Sequence, residues 1–303
     1  MSTRIASIDF GTNTARLLIA DYSQSGSFEQ IYIEREIIRM GGGFNRNTGL
    51  SSHAIQRGLS CLKRFSSVIK DYGVTTIRAV ATSAVRDAIN GRHFVESVLL
   101  QTGIILEVID GTREAHLTLA GVQTGLVSQL DKFLLFDIGG GSTEYTLVNG
   151  TDVCFSSSLP LGVVRLSEGK VTHSAMNKKI EKELNAVLNN MKNAGVRLSP
   201  EISLVGTAGT ATTLAAIQME MVDYDYRRVN NAVVSKKDIL SIYERLVHLA
   251  PVDRLLIPGL EKGREDLIIA GILITLKTMD LFGFNKMIVS DYGMLEGLIV
   301  SNG

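Results

Sequence analysis

The sequence predicts an α/β protein made of two domains built on one plan. Two observations lead there. A strand–turn–strand signature occurs twice, as RIASIDFGTNTARLLIADY at 4–22 and FLLFDIGGGSTEYTLVNG at 133–150. Each copy has an apolar strand, an aspartate, an apolar residue, a Gly-rich turn with hydroxyls and a second strand, so Asp9 and Asp137 occupy matching places. The patterns that follow both copies also repeat, reading βββαβα with further βα units. A chain of 303 residues with 45% hydrophobic content has enough apolar material for two cores.

The elements follow in order. After the first hairpin come a third strand near 28–38 and a helix from Ser51 to Tyr72, closed by Gly73. A strand (Thr75 to Val80), a helix (Arg92 to Thr102), a strand (Ile104 to Ile109) and a helix from about Arg113 complete the first half. The second half has strands near 133, 143 and 152 and a long helix from Ser174 to Ala194, capped by Gly195. Next come a strand (Ile202 to Val205), a helix from Gly209, and a helix opened by Ser235-Lys236-Lys237-Asp238, which reads as a capping box. A helix from Arg264 to Leu281, a strand from Lys286 to Ser290 and a helix from Met294 to Val300 end the pattern.

Composition excludes several classes. Lys plus Arg and Asp plus Glu are both 31, so the net charge is zero and no long-range attraction to nucleic acid or to a membrane is indicated. Any anion site must be local. Two cysteines, Cys61 and Cys154, make neither a disulfide framework nor a metal knuckle, and both are expected to be buried thiols. His53, His93, His116, His173 and His248 have no metal-ligand spacing. The start, MSTRIASIDFG, lacks a signal-peptide pattern, and LIIAGILITL at 267–276 is too short to span a bilayer. The expectation is a cytoplasmic protein.

The second hairpin turn, Gly139-Gly140-Gly141-Ser142, holds three consecutive glycines where a tight turn needs one or two. Such a backbone can wrap an anion with converging N–H groups. A flexible turn is the plain alternative.

The order of elements resembles the actin, Hsp70 and sugar-kinase superfamily. Within it, seven segments resemble the exopolyphosphatase and guanosine pentaphosphate phosphohydrolase (Ppx/GppA) family: IDFGTNTARLLI (8–19), TSAVRDAIN (82–90), GTREA (111–115), DIGGGSTE (137–144), LGVVRL (161–166), GTAGTATTLAA (206–216) and SDYGMLEG (290–297). They span nearly the whole chain in family order. Two positions depart from the family pattern, Arg113 where a glutamate is usual and Leu295 where an arginine is frequent. The resemblance is to the short family form. It implies two ribonuclease H-like (actin-like ATPase) domains in tandem around a central cleft. The first would span 1–125, completed by the C-terminal helix at about 292–303, and the second 126–291.

The resemblance also assigns residues. Glu114, which otherwise only adds favourable charge to a helix start, becomes the general base that activates the attacking water. Asp137 and Glu144, with Asp9, become metal ligands, since hard carboxylate oxygens suit Mg²⁺, with Mn²⁺ as the alternative. The plainer roles are a turn cap for Asp137 and an exposed strand position for Glu144. Backbone N–H groups of Gly139, Gly140, Gly141 and Ser142 would cradle phosphate, with Gly11, Thr12 and Asn13 doing so from the first hairpin. Arg16, Arg86 and Arg264 are candidate phosphate binders and Arg165 a weaker one, because guanidinium groups grip phosphate bidentately. GTAGTATTLAA resembles the superfamily's nucleotide-base motif.

The activity implied is a Mg²⁺-assisted hydrolase that removes terminal phosphate from inorganic polyphosphate, preferring short chains. Hydrolysis of guanosine pentaphosphate at its 5′-phosphate, with guanosine penta- or tetraphosphate as the partner, is the alternative and would connect the protein to the stringent response. A sugar- or acetate-kinase-type phosphotransferase and a non-catalytic polyphosphate or alarmone sensor are the other classes. No nucleic-acid or membrane partner is expected, and a homodimer is the assembly considered.

Overall fold

Near-continuous apolar runs in the first hairpin, such as LLIA at 17–20, call for a sheet with two covered faces. In the computed structural model, residues 2–23, 26–127, 130–150, 152–168, 172–199 and 201–301 are described. The chain divides into two compact units, Met1–Thr124 with Gly293–Gly303, and Gly125–Tyr292.

The first unit begins with β1 (Ser2–Phe10), β2 (Thr14–Ser23) and β3 (Phe28–Ile37), paired antiparallel in sequence. Helix α1 (Ser52–Asp71) follows, its Ser51 N-cap accepting from Ala54 N–H, and Gly73 leaves it at φ 65°. Then come β4 (Thr76–Ala81), α2 (Ser83–Arg86), α3 (Gly91–Thr102), β5 (Leu106–Val108) and α4 (Gly111–Gly125). The sheet order is β3-β2-β1-β4-β5, with β4 parallel to β1 and β5 parallel to β4. Period-2 alternation sends Ala6, Ile8 and Phe10 into one core with Leu62, Phe65 and Phe94, and Ile5 to the opposite face.

The second unit repeats this plan with β6 (Lys132–Ile138), β7 (Thr143–Asn149), β8 (Asp152–Leu159), α5 (Val163–Glu168), α6 (His173–Asn193), β9 (Ser203–Thr207) and α7 (Ala208–Gln218). It continues through α8 (Tyr226–Val229), β10 (Val233–Ser235), α9 (Lys236–Val247), α10 (Pro251–Arg254), α11 (Ile268–Phe282) and β11 (Lys286–Val289). The expected capping box is present, with Ser235 and Asp238 bonding each other's backbone N–H. Sheet order is β10-β11-β9-β6-β7-β8. Read from β8, the sequence 8-7-6-9-11 matches 3-2-1-4-5 of the first unit in order and direction, and β10 adds an antiparallel edge. This is the ribonuclease H-like plan in both units. Helix α12 (Met294–Val300) returns to the first unit and packs Leu295 and Ile299 against Ile5 and Leu18.

Several expectations are corrected. Regular helix begins at Ile268, not Arg264: the Arg264 carbonyl accepts from Leu267 and Ile268, so Arg264 sits in the turn before α11. Cys61 is buried, but Cys154 is exposed because β8 is an edge strand whose first residues face outward. The short α2, α5, α8 and α10 and strand β10 carry too few periods to show in the pattern. All five histidines are exposed. Among the described residues, no helix is long and apolar enough to cross a membrane.

Candidate active site

In open α/β sheets, chemistry collects beyond the carboxyl ends of the parallel strands. In the first unit those ends belong to β1, β4 and β5, and they deliver three of the quoted motifs to one edge. β1 runs into Gly11-Thr12-Asn13, β4 into Ser83 and Arg86, and β5 into α4 with Glu114. Side chains meet there. Thr12 Oγ1 and Ser83 Oγ lie 2.8 Å apart in a buried hydrogen bond. Arg86 donates to the Ile109 carbonyl at 2.9 Å, and its Nη1 lies 3.3 Å from Glu114 Oε2.

Glu114 stands in the first turn of α4 and is only 7% exposed. The turn is shaped by Asp110, whose carboxylate accepts from Arg113 N–H at 2.8 Å. Arg113 itself is exposed, so its departure from the family pattern alters the surface beside Glu114 and leaves its neighbours' packing alone. The helix N-terminus and Arg86 both place positive charge beside this carboxylate.

The two hairpins share one backbone. Gly11 N–H donates to the Thr14 carbonyl at 3.0 Å, and Gly139 N–H donates to the Ser142 carbonyl at 3.0 Å. Their carbonyls are consumed by straps. Asn13 O accepts from Ile38 and Arg39, and Thr12 O accepts from Gly41. In the second unit Gly139 O accepts from Val163, and Gly140 O from Val164 and Arg165. Thr143 Oγ1 also donates to the Leu161 carbonyl. LGVVRL thus holds the glycine turn, and Arg165 enters through its backbone. A Cβ on Gly162 would overlap the Gly140 carbonyl, so close approach requires glycine there.

Opposite each hairpin aspartate the residue differs. Asp9 pairs in register with Arg16, whose Nε and Nη2 donate to Asp9 Oδ2 at 3.0 and 2.7 Å. Asp137 pairs in register with Glu144. Glu144 is 3% exposed, not the exposed strand position that its plainer role implied, and its Oε1 accepts from Ser158 at 2.7 Å. Asn13 Oδ1 is buried with no hydrogen-bond partner among the described residues. Arg264 is bonded to Glu261 at 3.1 Å, and its guanidinium lies against Gly209 at the start of α7, where Ala208 adopts φ 62°.

Among the described residues no three His, Cys, Asp or Glu side chains gather into a group able to hold a metal. Asp137 and Glu144 are a cross-strand carboxylate pair, whereas Asp9 is engaged with Arg16. Two adjacent hard-oxygen ligands fit a cation such as Mg²⁺, which keeps waters and completes its shell with phosphate oxygens.

Three residues of these two hairpin regions escaped the sequence. Ser83 stood inside a quoted motif, and its place at the end of β4 was the available signal. Gly162 was legible only as part of LGVVRL. Ser158, on the edge strand β8, carries no sequence signal.

Each of the two repeated sheets carries a glycine hairpin of the same build, and residues 18–302 match the model of the Ppx/GppA phosphatase family. The chain belongs to the Ppx/GppA phosphatase family. It is therefore a hydrolase. It is 31% identical to exopolyphosphatase 2 of Mycobacterium tuberculosis, over 99% of this chain and 98% of that protein. It is 34% identical to a bifunctional 3-dehydroquinate synthase/phosphatase of Fusobacterium nucleatum, over 97% of this chain but only 46% of that protein. Among solved structures, the Aquifex aeolicus PPX-GPPA enzyme superposes with TM-score 0.82 at 31% identity, covering both chains fully.

Proposed function

We propose that this Ppx/GppA member is an exopolyphosphatase that hydrolyses the terminal phosphate of inorganic polyphosphate. The placement of Glu114 carries the reading: a buried carboxylate at a helix start, oriented by Arg86, at the edge where the Thr12–Ser83 pair braces the first hairpin. Glu114 accepts a proton from water as the water oxygen bonds the terminal phosphorus. The bond to the bridging oxygen breaks, and the shortened chain leaves with that oxygen's negative charge.

The hairpin amides from Gly11 to Asn13 and from Gly139 to Ser142 bind nonbridging oxygens, with their carbonyls turned into the straps. Arg16 is held by Asp9, and Arg86 serves Glu114 first and an adjacent phosphate second. Asp137 and Glu144 would hold the divalent cation, Mg²⁺ or Mn²⁺, which supplies neutralisation of charge on the transferring phosphoryl group. Arg264 at Gly209 puts a cation where the superfamily receives a nucleotide base, which favours polyphosphate over guanosine pentaphosphate.

The experiment compares phosphate release from tripolyphosphate, long polyphosphate and guanosine pentaphosphate, with Mg²⁺ and matched chain ends. Release from polyphosphate is expected. Release from guanosine pentaphosphate alone would transfer the assignment to that nucleotide. Glu114→Gln should slow turnover about 10²- to 10⁴-fold with tripolyphosphate affinity nearly kept. Turnover within threefold of the parent would remove Glu114 from the role of base.

A further inference from the structure

Arg39 has φ 47°, in the left-handed region that an L-residue with a long side chain rarely occupies. Glycine would sit there without strain. The chain places glycine at 41, 42 and 43 and keeps arginine at 39. Such an outlier persists only where surrounding bonds fix it. Here they are identifiable. Arg39 N–H donates to the Asn13 carbonyl at 2.9 Å, beside the Ile38 N–H that shares it at 2.9 Å. Arg57, reaching from α1, donates from Nε to the Ile38 carbonyl at 2.8 Å and from Nη2 to the Arg39 carbonyl at 2.9 Å. The strap at 38–41 is therefore clamped between Arg57 and the tip of the first hairpin.

Side-chain direction follows from its neighbours. Ile38 and Met40 are fully buried in the core under the first sheet. Arg39, between them, is half-buried and lies outside that core. Its backbone is fixed within one hydrogen bond of the turn assigned to phosphate, within a side chain's length of it.

We propose that Arg39 is a substrate-binding residue, whose guanidinium takes a polyphosphate oxygen next to the phosphate cradled at Gly11–Asn13. Arg57 is its positioning residue, acting through the strap. The inference rests on the polyphosphate reading above. It explains why an arginine stands where glycine would be easier: the side chain is kept for its charge and two-point grip on phosphate.

The test exploits the strain. Arg39→Gly removes the guanidinium and relieves the left-handed backbone, so thermal stability should hold or rise by a few degrees while KM for tripolyphosphate rises at least about tenfold and kcat stays within about threefold. Arg39→Asn, which tolerates this backbone, should show the same KM rise and guards against an unexpected effect of added glycine flexibility. KM within twofold of the parent in both variants overturns the proposal. Calorimetric binding of tripolyphosphate without metal separates the two readings. If the parent releases no phosphate from any substrate, the polyphosphatase reading fails. Arg39 is then judged by the dissociation constant alone: a tenfold weakening in the variants supports it, and an unchanged constant overturns it.

Discussion

In the first hairpin the residue opposite Asp9 is Arg16, and in the second the residue opposite Asp137 is Glu144. The backbones are otherwise alike: a four-residue turn, one closing bond of 3.0 Å, and a strap that consumes the carbonyls. One substitution in register reverses the electrostatics. An ion pair neutralises the first hairpin from within. Two carboxylates directly opposite repel each other, and a cation held between them would relieve that. On the proposed function, the duplicated motif would serve phosphoryl transfer with one anion-binding half and one cation-binding half.

The sharpest way to break this contrast is to neutralise each aspartate in turn. Asp137→Asn should raise the Mg²⁺ concentration for half-maximal phosphate release by at least about tenfold, as loss of a ligand oxygen does. Asp9→Asn should leave that concentration within about twofold. Equal shifts in the metal titration would mean that the hairpins have not specialised.

The straps offer the next test. Gly162→Ala forces a methyl group into the Gly140 carbonyl and should cost about 1–3 kcal/mol, seen as a lower denaturant midpoint, with weaker tripolyphosphate binding. An unchanged midpoint would show that the second turn adjusts freely and is not preorganised.

A smaller effect is expected for the ion pair of the first hairpin. Without its charged partner, Arg16 loses a fixed geometry, and Asp9→Asn should raise KM for tripolyphosphate about three- to tenfold. The smallest is Ser83→Ala, which removes the partner of Thr12 and should lower stability by about 0.5–1.5 kcal/mol, read from chemical denaturation. A loss well above that range would make the Thr12–Ser83 bond a main support of the first unit.

The sequence by itself determined the repeat, the order of the longer elements and the family, because local signals carry them: period-2 runs, the Ser235–Asp238 capping box, Gly73 and Gly195 at left-handed helix ends, and glycine turns after Asp9 and Asp137. It pointed to Glu114 and to Arg86 separately. Only the tertiary structure decided that these two touch, since β4 and β5 must pair in parallel before residues 28 apart in sequence can meet at 3.3 Å. The same holds for the burial of Glu144 under Ser158, the strap of 161–165 over the glycine turn, and the exposure of Cys154 on an edge strand. Local pattern fixes which face of a strand a residue occupies. Which partner awaits it on that face depends on strand order and on what packs above, and those are set by contacts far apart in the chain.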